Sequence, residues 1–356
     1  MPTSWRNAWS PTATRSRSST AVSPLGKTPV YPPSDSLKFG AFPPCIRLMP
    51  IVSRSLVLSL TCAGAALLAV VGRSPGEPTA PTTGAKKKIV FIAGRPSHAP
   101  GEHEHRAGSM LLADHLNKSG LPIDAVVVTN GWPEDEAILD GASAIVIYAD
   151  GGGGHPAMNH LPKLRQLANS GAGIGCIHYG VEIPKGEPGN TFLDLIGGYF
   201  ETDWSVNPHW DASFKPAQHA ISRGIGEFKI RDEWYYHMRF RENMEGVTPI
   251  LSDLPGSDTL VRPDGPHSGN PHVRAAVNDR KEPQHVMWAY ERPEAFGKGR
   301  AFGFTGGHFH KNWQHDDHRG IVLNAIAWIA HLEVPKNGIP SPTPSDADMQ
   351  ANLDVK

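Results

Sequence analysis

Residues 88–94 read Lys-Ile-Val-Phe-Ile-Ala-Gly, and this stretch decides the fold class. Ile89 to Ala93 form a continuous apolar run rich in β-branched and aromatic side chains, which is typical of a strand buried on both faces. Gly94 ends the run. A polar loop and then a helical pattern that includes Met110 and Leu116 follow it. The stretch therefore predicts the first strand of a parallel sheet that helices cover.

The same alternation of strand and helix continues along the chain. Short connections between the elements predict an α/β fold with a doubly wound, mostly parallel sheet, a three-layer sandwich that spans residues 87–335. Residues 190–210 contain aromatic residues and glycines without a clear period, and predict an irregular insertion over the site. The further predicted strands are 125–129, 144–148, 173–177, 228–230, 285–290 and 300–304, and the further helices are 135–139, 158–168 and 319–331.

The N-terminal part of the chain has the composition of a targeting segment. Residues 1–48 are rich in Ser, Pro, Thr and Arg, and predict a disordered extension upstream of a true start at Met49. Residues 49–72 contain Arg54 and an apolar run, and predict a signal peptide. A single anchoring helix is the alternative, although the run is shorter than the roughly 20 residues of a membrane span. Residues 73–86 predict a linker and residues 336–356 a flexible tail.

Composition excludes several classes of protein. The chain has 356 residues and a net charge of −1, so no overall field indicates a nucleic-acid partner. Of the three cysteines, only Cys176 lies in the predicted domain, so that domain has no internal disulfide framework. With the signal peptide, this predicts an exported protein, periplasmic or extracellular, that leaves the membrane after cleavage.

The carboxyl ends of parallel strands are where such sheets bind ligands, and this rule selects the loops 95–106, 130–132, 150–155 and 178–187. The first of them is rich in His and Glu, residue types that suit a transition metal, but its spacing matches no common metal motif. A metal site and a polar loop without metal both remain open. Asp150 precedes four glycines, whose backbone N–H groups suit an anion or close packing against another loop.

Three further segments carry candidate chemistry. Residues 173–180 read Gly-Ile-Gly-Cys-Ile-His-Tyr-Gly, which predicts a sharp turn after a strand with His178 at its strained centre. Cys176 lies two residues earlier and is interpreted as a small buried residue. Residues 232–235, Asp-Glu-Trp-Tyr, suit carbohydrate or an ordinary core strand. His308 follows a predicted strand and two glycines, and we expect it to meet His178 across the crevice.

In this order, the four segments resemble the trehalose-utilisation (ThuA-like) family over residues 87–334. The residues that carry the resemblance are Gly94 to His98, residues 176–178, residues 232–235, and residues 305–308 with Trp313. The resemblance implies a fold like the class I glutamine amidotransferases (flavodoxin-like) and a link to trehalose and related sugars, including oxidised (keto) sugars. His178 stands where those enzymes have a nucleophilic cysteine, and His308 stands at their partner histidine. Amidotransfer is therefore not expected.

We expect an enzyme, hydrolase- or isomerase-like, that acts on a carbohydrate-like small molecule by histidine acid/base chemistry. A non-catalytic sugar-binding protein and a metal-dependent hydrolase are the alternatives. No cofactor is assigned, and the sequence leaves a divalent metal and a homo-oligomer open. The expected catalytic residues are His178, His308 and Glu233, and the expected substrate-binding residues are His98, His103, Glu104, Asp150, Gly151, Trp204, Trp210, Tyr235 and Trp313.

Overall fold

The computed structural model describes residues 85–356. The predicted extension, the signal peptide and nearly all of the linker lie outside the described residues. Within residues 85–356, no helix has both the length and the apolar composition to cross a membrane.

The described part of the chain alternates strands and helices. The helices are α1 (His105–Lys118), α2 (Leu161–Asn169), α3 (Glu187–Ile196), α4 (Pro271–Arg274), α5 (Asp316–Ile329) and α6 (Asp346–Gln350). The strands are β1 (Lys87–Ala93), β2 (Ile123–Val128), β3 (Ala144–Tyr148), β4 (Gly173–Ile177), β5 (Gly198–Tyr199), β6 (Trp210–Phe214), β7 (Phe228–Asp232), β8 (Arg239–Phe240), β9 (Val247–Asp253), β10 (Gln284–Arg292) and β11 (Gly299–Phe304).

Seven strands form the central sheet in the order β2-β1-β3-β4-β11-β10-β9. The pairs from β2 to β11 are parallel, and β10 runs antiparallel to both of its neighbours. The predicted α/β fold with a mostly parallel sheet is confirmed. The parallel strands bring the ends of β1, β3, β4 and β11 to one edge of the sheet, and that edge carries the site described below.

Both faces of the sheet are buried, as the apolar run of β1 predicts. Ile89 and Phe91 point into a core with helices α1 and α5. Val90 and Ile92 point into a second core with α2 and α3. Alternate residues of a strand face opposite sides, so this one strand serves both cores and needs apolar residues at every position.

One sequence prediction about elements needs correction, and one strand was missed. The strand predicted at 228–230 is confirmed as part of β7, which pairs with β6 in a separate two-stranded sheet. The region 190–210 is not wholly irregular, since α3 extends to Ile196. Strand β9 was missed because Pro249 interrupts it. Proline is tolerated there because β9 is the edge strand.

The segment 336–356, predicted to be a flexible tail, packs against the domain. Ile339 and Met349 are buried, and Ser345 and Asp348 form a capping box at the start of α6. Asp354 N donates to Glu104 Oε2 at 2.9 Å. The prediction failed because the segment is mostly polar and its two apolar anchors are far apart in sequence.

Candidate functional site

His178 begins the turn that follows β4 and occupies the left-handed region, with φ of 53°. Its side chain is fully buried. The parallel register sets Phe304 of β11 beside Ile177 of β4, so the next residues along both strands are also neighbours. His178 Nδ1 therefore reaches the carbonyl oxygen of Thr305 at 2.8 Å and donates to it. The predicted strained turn is present, with a histidine at its centre.

A short antiparallel bridge joins the loop before α1 to the segment after β11. Glu102 pairs with Phe309, and the backbone N–H of His103 donates to the carbonyl of His308 at 3.0 Å. Because of this bridge, two histidines 205 positions apart in sequence lie side by side. His103 is buried and also has a positive φ, of 46°.

Asp232 fixes the backbone that carries His308. Its buried carboxylate accepts hydrogen bonds from the N–H groups of Gly307, at 2.7 Å, and His308, at 3.1 Å. Gly307 has φ of 104°, a conformation that favours glycine. Glu233 follows Asp232 directly, so the end of β7 both supports the histidine segment and supplies a carboxylate to the same place.

Four side chains converge on one point at this edge of the sheet. His103 Nε2 lies 3.0 Å from both His178 Nε2 and His308 Nδ1. Glu233 Oε2 lies 3.1 Å from His308 Nδ1 and 3.5 Å from His178 Nε2. All four atoms lie within 4.8 Å of one another. We call His103, His178, Glu233 and His308 the edge cluster. The expectation that His178 and His308 meet across the crevice is confirmed geometrically, and their catalytic roles stay a prediction.

A second layer of groups holds the rings of the edge cluster. His103 Nδ1 lies 2.8 Å from Asp150 Oδ1, and an ionised carboxylate can only accept this bond. The ring of His98 stacks on that of His103 with 3.6 Å between centroids. The Tyr235 hydroxyl lies 3.2 Å from His178 Nε2. Three of the predicted binding residues therefore contact the cluster from outside.

Burial and neighbouring charges shift the pKa values of these groups in opposite directions. Burial lowers the pKa of His103 well below its usual range, although Asp150 acts against this. Burial alone would lower the pKa of His308, but the hydrogen bond to Glu233 raises it above its usual value. Burial would raise the pKa of Glu233, and the bonds from His178 and His308 outweigh burial and lower it. Glu233 is therefore ionised at neutral pH.

The edge cluster borders a cavity of about 330 Å³ whose polar lining includes Asn207, His209 and Arg262. Asn207 Nδ2 donates to Glu233 Oε1 at 3.1 Å, and His209 Nε2 lies 3.7 Å from the same oxygen. One carboxylate oxygen of Glu233 thus faces the cavity while the other faces the imidazoles.

Other predicted site residues lie elsewhere. Trp313 is fully buried against Tyr148, and Trp210 is buried and donates its indole N–H to a backbone carbonyl. Neither can offer a face to a sugar. Trp204 stacks on His237 under the guanidinium of Arg239. The sequence alone could not distinguish these buried rings from rings on a sugar-binding surface, because aromatic residues are common in protein cores and on binding surfaces.

Glu104 and Gly151 also have structural contacts in place of the predicted ligand contacts. Glu104 Oε1 lies 3.1 Å from Lys356 Nζ, and the backbone N–H of Gly101 donates to the same carboxylate. A Cβ at Gly151 would lie 2.2 Å from the carbonyl oxygen of Tyr179. This glycine allows two loops to pack closely. Cys176 is buried in β4, and burial raises the pKa of its thiol well above the usual range.

Sequence reasoning did not select Asp232, Asn207, His209 or Thr305. Asp232 could have been found, since it lies in the quoted segment 232–235. Thr305 acts through its backbone carbonyl, which carries no side-chain signal. Asn207 and His209 lie in the segment that was interpreted as an irregular insertion.

The donor atoms of the edge cluster are the type that hold a divalent metal, three imidazole nitrogens and a carboxylate oxygen. His98, His103 and Asp150 form a second such group. It is more open to solvent, because the side chain of His98 is 40% exposed.

Comparisons with known proteins show where the chain belongs. Over 71% of this chain and 95% of the other, it is similar to the crystal structure of a putative ThuA-like protein from Bacteroides uniformis, with 15% identity and a TM-score of 0.50. A putative ThuA-like protein from Parabacteroides merdae matches 74% of this chain and 99% of its own, with 12% identity and a TM-score of 0.47. No curated protein matches. The sequence profile of ThuA, described as trehalose utilisation, matches residues 95–329, well over half of the chain. The protein is therefore a member of the ThuA (trehalose utilisation) family.

Proposed function

We propose that the protein is an enzyme that acts on a carbohydrate-like small molecule at the edge cluster. The observation that carries this proposal is the position of Glu233. Its Oε2 lies among three buried imidazoles, and its Oε1 is bound by Asn207 on the wall of the cavity. A substrate in the cavity would therefore contact an ionised, oriented carboxylate that is coupled to the whole cluster.

The cavity favours a small polyhydroxylated substrate. Its lining offers an amide, an imidazole, a guanidinium and carboxylates, which pair with hydroxyl groups as donors and acceptors. A volume of about 330 Å³ lies at the lower end of the range of small-molecule sites. The trehalose-utilisation family links the chain to sugar metabolism. We therefore propose sugars and their oxidised (keto) derivatives as the substrate class.

Backbone strain supports a functional site over ordinary core packing. His103 and His178 both hold positive φ values, of 46° and 53°, which cost free energy in residues other than glycine. Such conformations persist where the surroundings impose them, and they concentrate at functional sites. A cluster that only filled space would need neither strained backbone nor the hydrogen bonds that hold the rings of His103 and His178 from behind.

The structure changes the division of roles within the predicted acid/base set. His178 is fully buried and both of its ring nitrogens have partners inside the protein. We therefore assign contact with the substrate to Glu233 and to His209, whose side chain is 40% exposed beside it. His178 and His308 keep Glu233 ionised and oriented.

The test is turnover of a panel of sugars, glucosides and their keto forms, with products followed by NMR and mass spectrometry. Glu233→Gln preserves shape and should lower kcat/KM by about 100-fold or more, the usual contribution of such a group. His331→Asn, at an exposed histidine elsewhere, is the control and should change nothing. Binding of a sugar without any product would contradict the proposal and favour a non-catalytic binding protein.

We also propose that the protein is exported after cleavage of residues 49–72, on the basis of the sequence pattern alone. Mass spectrometry of the mature N-terminus tests this. A start just after Gly72 is the expected result, and a peptide from residues 10–40 in the mature protein would contradict both the cleavage and the start at Met49.

A further inference from the structure

The protons of the edge cluster are fixed by the groups outside it. His103 Nδ1 faces the Asp150 carboxylate at 2.8 Å, and His178 Nδ1 faces the carbonyl of Thr305 at 2.8 Å. Both partners are acceptors, so each ring carries its proton on Nδ1. The Nε2 atom of each ring is then directed into the cluster.

These Nε2 atoms face each other. His103 Nε2 and His178 Nε2 are 3.0 Å apart, and Glu233 Oε2 lies 3.5 Å from His178 Nε2. The Tyr235 hydroxyl can donate to His178 Nε2, at 3.2 Å. His308 Nδ1 has one proton to offer, either to His103 or to Glu233. The four converging atoms are all of the acceptor type, and buried acceptors that face one another are mismatched unless something between them binds their lone pairs.

A cation at the centre removes this mismatch. Ligand atoms that share one ion at about 2.1 Å lie about 3.0 Å apart when they subtend a right angle and about 3.4 Å apart in a tetrahedron. Four of the six separations in the edge cluster are 3.0, 3.0, 3.1 and 3.5 Å, and the other two are no more than 4.8 Å. We propose that His103, His178, Glu233 and His308 bind one divalent first-row transition metal ion, through His103 Nε2, His178 Nε2, His308 Nδ1 and Glu233 Oε2.

The groups behind each imidazole agree with this assignment. Metal-binding histidines donate their other ring N–H to a carboxylate or a carbonyl, which fixes the tautomer. Asp150 does so for His103 and the Thr305 carbonyl for His178. His308 Nε2 is buried without a hydrogen-bond partner, and the nearest carboxylate oxygen is Glu102 Oε1 at 3.7 Å. A small shift of the Glu102 side chain would complete the third pair.

The inference deepens the proposed function without depending on it. The metal would act as a Lewis acid on a carbonyl or hydroxyl oxygen of a substrate that enters beside Glu233. His178 and His308 would then act as metal ligands and not as the acid and base that the sequence predicts. The chemistry would be that of the metal-dependent alternative.

Metal binding can be measured without any substrate. We would purify the protein without a polyhistidine tag, strip it with a chelator, and titrate it with Co²⁺ and Zn²⁺ by visible absorption and by calorimetry. Equimolar binding and a Co²⁺ spectrum typical of nitrogen and oxygen ligands are expected. A stripped protein that shows neither spectrum nor binding heat would overturn the proposal.

Variants separate this site from adventitious binding. His178→Ala and Glu233→Ala should abolish binding, and Asp150→Asn should weaken it by 10- to 100-fold, the usual effect of an outer carboxylate. His331→Asn should bind like the wild type. Unchanged affinity in Glu233→Ala would place the ion elsewhere and refute the assignment. Glu233→Gln at full affinity would also count against it.

The two proposals can fail separately. A stripped protein that turns over a sugar but binds neither Co²⁺ nor Zn²⁺ would refute the metal site and leave the proposed enzyme intact. Metal bound by the wild type, with no product from any sugar, would refute the enzyme and leave the metal site intact.

Discussion

At the scale of single residues, Asp232 supports more of the edge cluster than any residue selected from the sequence. Its carboxylate accepts from the backbone of Gly307, His308 and Glu233, and from the side chain of Asn312. An asparagine side chain at this position would direct its own N–H group towards at least one of these four N–H donors, and that hydrogen bond would be lost. Asp232 therefore positions two members of the cluster without belonging to it.

We predict that Asp232→Asn lowers the free energy of unfolding by about 1–3 kcal/mol, the cost of buried hydrogen-bonding groups left unsatisfied. Urea unfolding followed by tryptophan fluorescence measures it. The control is Asp211→Asn on the neighbouring strand, where a half-exposed carboxylate pairs with Arg231 and should matter little. Equal effects in the two variants would show that Asp232 has no special role.

His267 gives the protein a pH-dependent contact away from the edge cluster. Its Nε2 lies 3.0 and 3.1 Å from the two oxygens of Glu182, and this bond raises the pKa of His267 above 6.5. A raised folded-state pKa means that the contact stabilises fully below the unfolded value and is lost as pH rises through the folded value.

We predict that the wild type loses stability relative to His267→Gln as pH rises from 6 to 9. The difference should stay below about 1 kcal/mol, because His267 is partly exposed and water screens the pair. Urea unfolding at several pH values measures it, with His272→Gln at an exposed position as the control. A difference that does not change with pH contradicts the prediction.

At the scale of elements, the loops at the carboxyl edge pack so closely that their glycines are required. A Cβ at Gly94 would lie 2.8 Å from both Ala149 Cα and His105 Nδ1. We predict that Gly94→Ala lowers stability by about 1–3 kcal/mol because backbone must move. Gly153→Ala is the matched control, since nothing lies within 4 Å of its added Cβ. Thermal unfolding of both variants measures the difference, and similar midpoints would contradict it.

The C-terminal segment, residues 336–356, packs against the loop that carries His103 and holds it in place. Glu104 is buried and is paired with Lys356 and with the backbone of Asp354. Deleting residues 346–356 removes those partners and the buried side chain of Met349, and should cost about 2–5 kcal/mol. Adding Glu104→Gln to the deletion should restore part of the loss, because the buried charge is then gone.

The control for the deletion is Val355→Ala, whose side chain is 95% exposed and should be silent. Urea unfolding of the three variants measures the effect. A truncated protein as stable as the full chain would show that the segment only rests on the surface.

How much the sequence predicts differs between elements for physical reasons. Strand β4 was predicted at its observed bounds, because burial on both faces requires an unbroken apolar run. The helix α3 was missed, since Pro188 and Gly189 lie in its first turn, where proline is in fact favourable. At the site, His178 and His308 follow strands and were predictable. Asn207 and His209 come from a loop whose path only tertiary packing decides.

At the scale of the whole molecule, the edge cluster joins four segments that are distant in sequence. A ligand that binds only the folded state stabilises the whole fold by mass action, by about 2.7 kcal/mol at 100 times its dissociation constant. We predict that Zn²⁺ raises the unfolding midpoint of the stripped wild type and that a chelator reverses the shift. Glu233→Ala should show no such shift, and a shift of equal size in that variant would mean that the ion binds elsewhere.

The bridge between Glu102 and Phe309 has a consequence for biosynthesis. A nascent chain released from the ribosome up to β10 already contains His103, His178 and Glu233, but it lacks both His308 and the carbonyl that sets the tautomer of His178. Such an intermediate lacks one of the four members of the edge cluster throughout translation. Assembly of the cluster is thereby tied to completion of the chain, and a product terminated before β11 cannot form it.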